Sequence, residues 1–285
     1  MIWLIGNRGM LGSDVETMLL DSRLEYTATD LDVDITDHNA LNRFIMDKPI
    51  RWIVNCSAYT AVDKAEDEEE KAYSINHRGV ANIAEIARKH AVQFIHISTD
   101  YVFSGLKDGI YNEEDDTDPQ SVYGRSKLAG EKSILDMNNR YYIVRTAWLY
   151  GQHGPNFVQT MLRLFREREE VRVVRDQWGS PTYSRDLASA VLAIVSKDIH
   201  QYGIYHFTNE GSTNWYEFAL KIYQKAKAMG LIEKDINLVP ISTEEYPVKA
   251  KRPKNSKLSK DKIKSALEIS IRSWEDALNE YLSKL

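Results

Sequence analysis

At 285 residues the chain is long enough to bury a sizeable core, as one large domain or two small ones. Hydrophobic residues make up 43% and charged ones 28%, ordinary for a soluble globular protein, and a net charge of -5 argues against nonspecific nucleic-acid binding. The single cysteine, Cys56, excludes an intrachain disulfide and a multi-cysteine metal site, and it suits a reducing compartment.

The apolar start is too short for a signal segment or a membrane span, and it runs straight into Gly6 as a strand would. With no other address visible, the expected location is the cytoplasm, with no membrane partner. Strand and helix signals then alternate. Residues 2–5 read as a buried strand, 10–20 as a helix, 25–29 as a strand ending at Asp30, and 37–46 as a helix. A third strand covers 52–56, a long helical pattern 64–89, and a fourth strand 94–97. A helix starting near Ser121 carries Tyr123 and Lys127, and 142–145 is a fifth strand. Such alternation implies right-handed crossovers and a parallel sheet covered on both faces. The fold class is therefore α/β, a Rossmann-type doubly wound parallel sheet.

After Tyr150 the rhythm loosens. Helices are expected at 157–168, 185–195 and 215–227, with a short strand at 171–174. The expected division is a dinucleotide-binding domain over 1–150 plus about 170–204. A smaller α+β substrate domain takes about 151–169 and 205–285. The acidic runs at 66–70 and 113–116 are expected to be solvated surface.

Gly6-Asn7-Arg8-Gly9-Met10-Leu11-Gly12 follows the first strand and opens the first helix. Glycines there permit a tight turn, let backbone approach a pyrophosphate, and let the helix pack on the sheet. Backbone N–H groups at the helix start then face phosphates. The spacing is G-x-x-G-x-x-G rather than G-x-G-x-x-G, and a structural turn is the competing reading. Asp30, at the end of the second strand, can accept hydrogen bonds from an adenosine ribose and repel a 2′-phosphate, whereas Arg8 can pair with one. The two point in opposite directions, so the cofactor is NADPH or NADH. Asp34 and Ile35 sit where an adenine ring would lie, or they form a helix cap.

Tyr123 and Lys127 lie four apart, on one helix face. A tyrosine hydroxyl titrates near ~10, and an ammonium one turn away favours the phenolate, which suits the pair to passing a proton to a substrate oxygen.

The glycine loop, Ser98-Thr99-Asp100-Tyr101-Val102-Phe103 and Tyr123-x-x-x-Lys127 together resemble the extended short-chain dehydrogenase/reductases. More narrowly, residues 54–66, 145–150, 176–182 and 252–256 resemble the dTDP-4-dehydrorhamnose reductase family. The resemblance implies hydride addition to the C4 ketone of dTDP-4-dehydro-L-rhamnose, a small-molecule nucleotide-sugar. In that reading Tyr123 protonates the developing alkoxide. Lys127 lowers the tyrosine pKa and holds the nicotinamide ribose, and Thr99 orients the substrate oxygen. Ala58, Tyr59 and Thr60 match a cofactor-lining loop. Asp100, Trp148, Asn156 and Arg252 match substrate-contacting positions. The plain alternatives are that Thr99 caps a strand, Asp100 caps a turn and Trp148 is core. The basic stretch 249–257 either neutralises a diphosphate or is ordinary surface. Cys56 is read as a small buried hydrophobe. His77, His96 and His153 lack metal-ligand spacing and receive no role.

The resemblance also implies that some members dimerise through a metal bridged by glutamates. Here the corresponding region reads Tyr183-Ser184-Arg185-Asp186, and Asp14 replaces a longer acid. The expectation is no bound metal and a monomer or weak dimer. Two alternatives stand beside reduction of this ketosugar. One is an epimerase, dehydratase or reductase acting on another 6-deoxy sugar, although Tyr101 stands where a dehydratase wants glutamate. The other is a non-catalytic regulatory subunit of the same fold.

Overall fold

The computed structural model describes residues 1–137 and 140–285. Its centre is a six-stranded parallel sheet. Strands β1 (Ile2–Ile5), β2 (Tyr26–Thr29), β3 (Trp52–Asn55), β4 (Gln93–Thr99) and β5 (Tyr141–Thr146) are joined by a sixth strand, Gly203–His206. The spatial order is Gly203–His206, β5, β4, β3, β1, β2. The chain therefore leaves β1 in one direction to make β2, then returns past β1 to make β3. Such a reversal opens a crevice at the carboxyl ends of the strands, where doubly wound folds hold ligands.

Alternate residues of β1 and β3 enter opposite cores, as the two-residue period requires. Leu4 and Val54 pack with Val15 of helix α1 (Met10–Asp21), and with Leu187 and Val191 further along the chain. Trp3, Ile5 and Ile53 pack on the other face with Leu41 of α2 (His38–Ile45) and with Ile83 and Ala87. Val171 and Val173, in a strand that pairs with Asn237–Ile241, belong to a third core with Tyr150, Phe165, Phe218, Trp274 and Tyr281. This third core lies outside the sheet, and Trp148, packed against it, reaches the crevice.

Three expectations needed correction. The helical pattern over 64–89 is broken into α3 (Val62–Ala65), α4 (Glu69–Tyr73), a π-helical stretch Ser74–Gly79 and α5 (Val80–Lys89). The break falls where Glu66 turns away to accept the Val122 N–H at 2.8 Å and Glu68 accepts the Tyr59 hydroxyl at 3.0 Å. These carboxylates are structural partners, not only solvated surface. The same holds for Glu113, whose carboxylate accepts the His206 N–H at 3.1 Å and whose pKa is raised by burial. The strand Gly203–His206, absent from the sequence reading, pairs with β5 in parallel.

Candidate active site

The carboxyl ends of five neighbouring strands open onto one cleft of ≈ 1000 Å³. Gly6 follows β1, Asp30 follows β2, Cys56 follows β3, Thr99 ends β4 and Thr146 ends β5, and all five line it. On one wall the glycine loop leads into α1. Gly9 occupies the cap position with extended backbone and no side-chain cap. The first N–H groups of α1 are thus left to face a ligand, and a helix start with unclaimed donors favours an anion. A Cβ on Gly12 would lie 2.0 Å from the Gly6 carbonyl oxygen, so only glycine lets α1 approach the loop this closely. These features fit a dinucleotide diphosphate. Asp30 accepts the Arg8 N–H at 3.2 Å, which ties the end of β2 to the loop.

The floor is made of buried side chains. Thr99 accepts the Tyr101 N–H at 3.2 Å and donates its hydroxyl to Asp100 at 3.0 Å. Burial pushes the Asp100 carboxyl up to about 6, against the stabilising hydrogen bonds from Ser256 and Thr99. Tyr123 and Lys127 project from α6 (Val122–Met137) into the same cleft. A Cβ on Gly124 would meet the Tyr101 carbonyl oxygen at 2.3 Å, so a glycine here lets α6 lie directly on the turn that carries Thr99 and Asp100.

Burial pushes Tyr123 up to about 12, opposed by Thr99 and reinforced by the charge of Asp100. Burial also lowers Lys127 to about 8, opposed by Glu131 and Cys56. The expected lowering of the tyrosine pKa by its lysine is not found in this state. Lys127 Nζ is engaged instead with the Ile97 carbonyl at 2.7 Å and His96 Nε2 at 3.2 Å. Loss of water around the phenol is the leading cause of its raised pKa. Tyr123 is therefore protonated at neutral pH, as a proton donor to a nascent alkoxide must be.

Comparison with known proteins agrees with this geometry. A family model described as the RmlD substrate binding domain matches residues 1–285. The chain is 43% identical over 279 residues to a dTDP-4-dehydrorhamnose reductase of Aggregatibacter actinomycetemcomitans, covering 96% of this chain and 95% of that one. It is 40% identical over 280 residues to the spore coat polysaccharide biosynthesis protein SpsK of Bacillus subtilis, covering 98% and 95%. The crystal structure of dTDP-4-dehydrorhamnose reductase from Bacillus anthracis in complex with NADP superposes with a TM-score of 0.93 at 37% identity, covering 100% and 99%. The chain belongs to the RmlD family of dTDP-4-dehydrorhamnose reductases.

Of the positions singled out by sequence, this RmlD-family chain brings Gly6, Arg8, Gly9, Met10, Leu11, Asp30, Asp34, Ile35, Ala58, Thr60, Thr99, Asp100, Tyr123, Lys127 and Trp148 onto the cleft wall. Trp148 stacks on Trp215 with ring centroids 3.6 Å apart and has a φ of 50°, a backbone setting that side chains seldom adopt. Four candidates lie behind the wall. Gly12 sits at the helix–loop contact. Tyr59 is buried with its hydroxyl on Glu68. Asn156 is buried, accepts the Gln159 N–H at 3.1 Å and caps the helix Phe157–Glu167. Arg252 pairs with Asp63 at 2.8 Å. The basic stretch around Arg252 forms a strap: Lys249 pairs with Asp67, Asn255 donates to the Lys107 and Gly109 carbonyls, and Ser256 donates to Asp100.

Sequence reasoning missed Asn76, His96 and Asn55. Asn76, within the π-helical turn, accepts the Tyr59 N–H at 2.9 Å and donates to the Tyr59 carbonyl and to Ser126, pinning the Ala58–Thr60 loop to α6. Asn55 and His96 are register partners on β3 and β4, and their contact with Lys127 appears only once the strands pair. Among the described residues no cluster of three or more acidic, histidine or cysteine side chains is arranged to hold a metal ion. Asp186, in the region where the resemblance suggested a bridging acid, is held bidentately by Arg272 at 2.7 and 2.8 Å. Among the described residues, no helix is long and apolar enough to cross a membrane.

Proposed function

We infer that this chain catalyses the NADPH- or NADH-dependent reduction of the C4 ketone of dTDP-4-dehydro-L-rhamnose to dTDP-L-rhamnose. The observation that carries the reading is that Thr99, Tyr123 and Lys127 share one cleft with the uncapped glycine-loop helix. Its family membership and the NADP in the Bacillus anthracis relative support it.

Bound along the glycine loop, a nicotinamide cofactor would supply the hydride. Tyr123, protonated because it is buried, gives its proton to the ketone oxygen as negative charge develops there, a contribution of roughly 10²–10⁴-fold. Thr99, whose oxygen is fixed by the Tyr101 N–H, becomes the second donor at the ketone oxygen by turning its hydroxyl proton away from Asp100. Lys127 holds the cofactor ribose and, once charged, favours departure of the tyrosine proton. Asp100 and Trp148 face the sugar, while Asn156 and Arg252 support that side from behind the wall. The sheet half of the chain holds the cofactor and the half built on the third core holds the nucleotide-sugar. The working form we propose is a cytoplasmic monomer or weak dimer without a bound metal, a state that sedimentation with and without chelator measures.

The direct test follows absorbance at 340 nm. Mixing the protein with dTDP-4-dehydro-L-rhamnose and NADPH or NADH should consume the reduced cofactor and yield dTDP-L-rhamnose. No loss with either cofactor would overturn the assignment, and the ratio of the two rates ranks Arg8 against Asp30.

A further inference from the structure

Lys127 has partners on the side away from the cleft that the reaction as described does not use. Strands β3 and β4 pair so that Asn55 lies beside His96, and both side chains are fully buried. The Asn55 amide has one possible orientation. Its Oδ1 accepts the Ser57 backbone N–H at 3.0 Å and the Ser57 hydroxyl at 2.5 Å, and a backbone N–H can only donate. Nδ2 therefore faces His96 and donates to Nδ1 at 3.1 Å. Burial holds the imidazole well below its ordinary pKa, so the ring is neutral. With Nδ1 accepting, the single ring proton sits on Nε2. That N–H points at Lys127 Nζ, 3.2 Å away. An ammonium group has three donors and no acceptor. Only an uncharged amine can take the Nε2 proton into its lone pair while donating to the Ile97 carbonyl at 2.7 Å.

We propose that Asn55 and His96 are positioning residues that favour the uncharged amine of Lys127 in the cofactor-free protein, so that at mildly alkaline pH cofactor binding is coupled to proton uptake at Lys127. This rests on the reading of Lys127 as a cofactor-contacting residue. The other groups facing the amine are few. Glu131 and Tyr123 come from its own helix and Cys56 from the end of β3. Arg145 of β5 neutralises Glu131 at 2.7 Å, so the nearest carboxylate is already spent.

Calorimetric titration of NADPH at pH 8.5, in two buffers of different ionisation enthalpy, reads the uptake. With Lys127 at about 8 before binding, about three-quarters of a proton should enter per cofactor. Lys127→Met should abolish the uptake. Asn55→Asp keeps the bond to Ser57 but accepts from His96, which moves the ring proton to Nδ1 and offers Lys127 a lone pair. The lysine is then charged before binding, so uptake should fall to near zero while NADPH still binds. Nitrogen NMR of the unmodified protein should find His96 protonated at Nε2 and bare at Nδ1. An absent uptake in the unmodified protein, an undiminished one in Asn55→Asp, or a proton on Nδ1 would each overturn the proposal. None of these readouts needs turnover. Failure to reduce the sugar would strike the functional reading and leave this result to stand or fall by itself.

Discussion

The glycine-loop wall of the cleft is made of backbone, whereas the catalytic floor is made of buried polar side chains. On the first, Gly9 leaves the start of α1 uncapped and Gly12 admits the Gly6 carbonyl, so the wall works through what is missing. On the second, Asp100, Lys127, His96 and Glu131 are almost completely removed from water, and burial is the leading cause of the shifts of Asp100, Lys127, Tyr123 and His96. Backbone donors of a helix start hold an anion without titrating. Buried side chains can time a proton, at the cost of desolvation. A site that must both grip a diphosphate and deliver a proton benefits from keeping the two jobs on separate walls.

Tyr123→Phe should separate the walls most sharply. Turnover should fall by about 10²–10⁴-fold while cofactor affinity, followed by fluorescence titration, stays within about twofold. An equal loss in both would mean that the phenol serves binding and that the division is false. Glu131→Gln tests the floor's foundations. It leaves Arg145 charged and buried, because the pair at 2.7 Å is its ion-pair partner. Chemical denaturation should report a loss of about 3–5 kcal/mol.

Asp100→Asn should act in the opposite direction. A carboxyl whose folded pKa is raised from 3.8 to about 6 binds its proton more tightly in the native state. The stability it lends is fully present below the unfolded pKa and is lost as pH rises through 6. At neutral pH the protein thus carries a buried charge costing up to roughly 3 kcal/mol. The Asn variant should melt higher than the parent at pH 7.5, and the two curves should converge near pH 4. A variant melting lower at every pH would show that the Ser256 and Thr99 bonds outweigh the desolvation. Gly12→Ala probes the other wall and has the smallest expected effect. Its Cβ would meet backbone at 2.0 Å, so α1 must shift; stability should drop by about 1–3 kcal/mol and NADPH affinity by about tenfold, with the pH dependence of turnover unchanged.

Much of the first wall was legible in the sequence because its information is local. An apolar run followed by glycines at fixed spacing specifies strand, turn and helix within a dozen residues. The strands β1, β3, β4 and β5 are likewise written as short apolar runs. Less local features were not. The helix expected over 64–89 breaks because Glu66 and Glu68 are claimed by Val122 and Tyr59, partners that no window of sequence contains. The strand Gly203–His206 carries too short and mixed a pattern to stand out, and exists because β5 offers it an edge.

The sequence by itself determined the alternating α/β order, the glycine loop and the one-turn spacing of Tyr123 and Lys127, since each is a matter of residue type and local period. Only the tertiary structure decided what those side chains are as acids and bases. Whether Tyr123 keeps its proton, whether Asp100 titrates near neutrality and which nitrogen of His96 faces Lys127 depend on how much water is excluded and on which donors point inward, and both are set by strands and helices far apart in the chain.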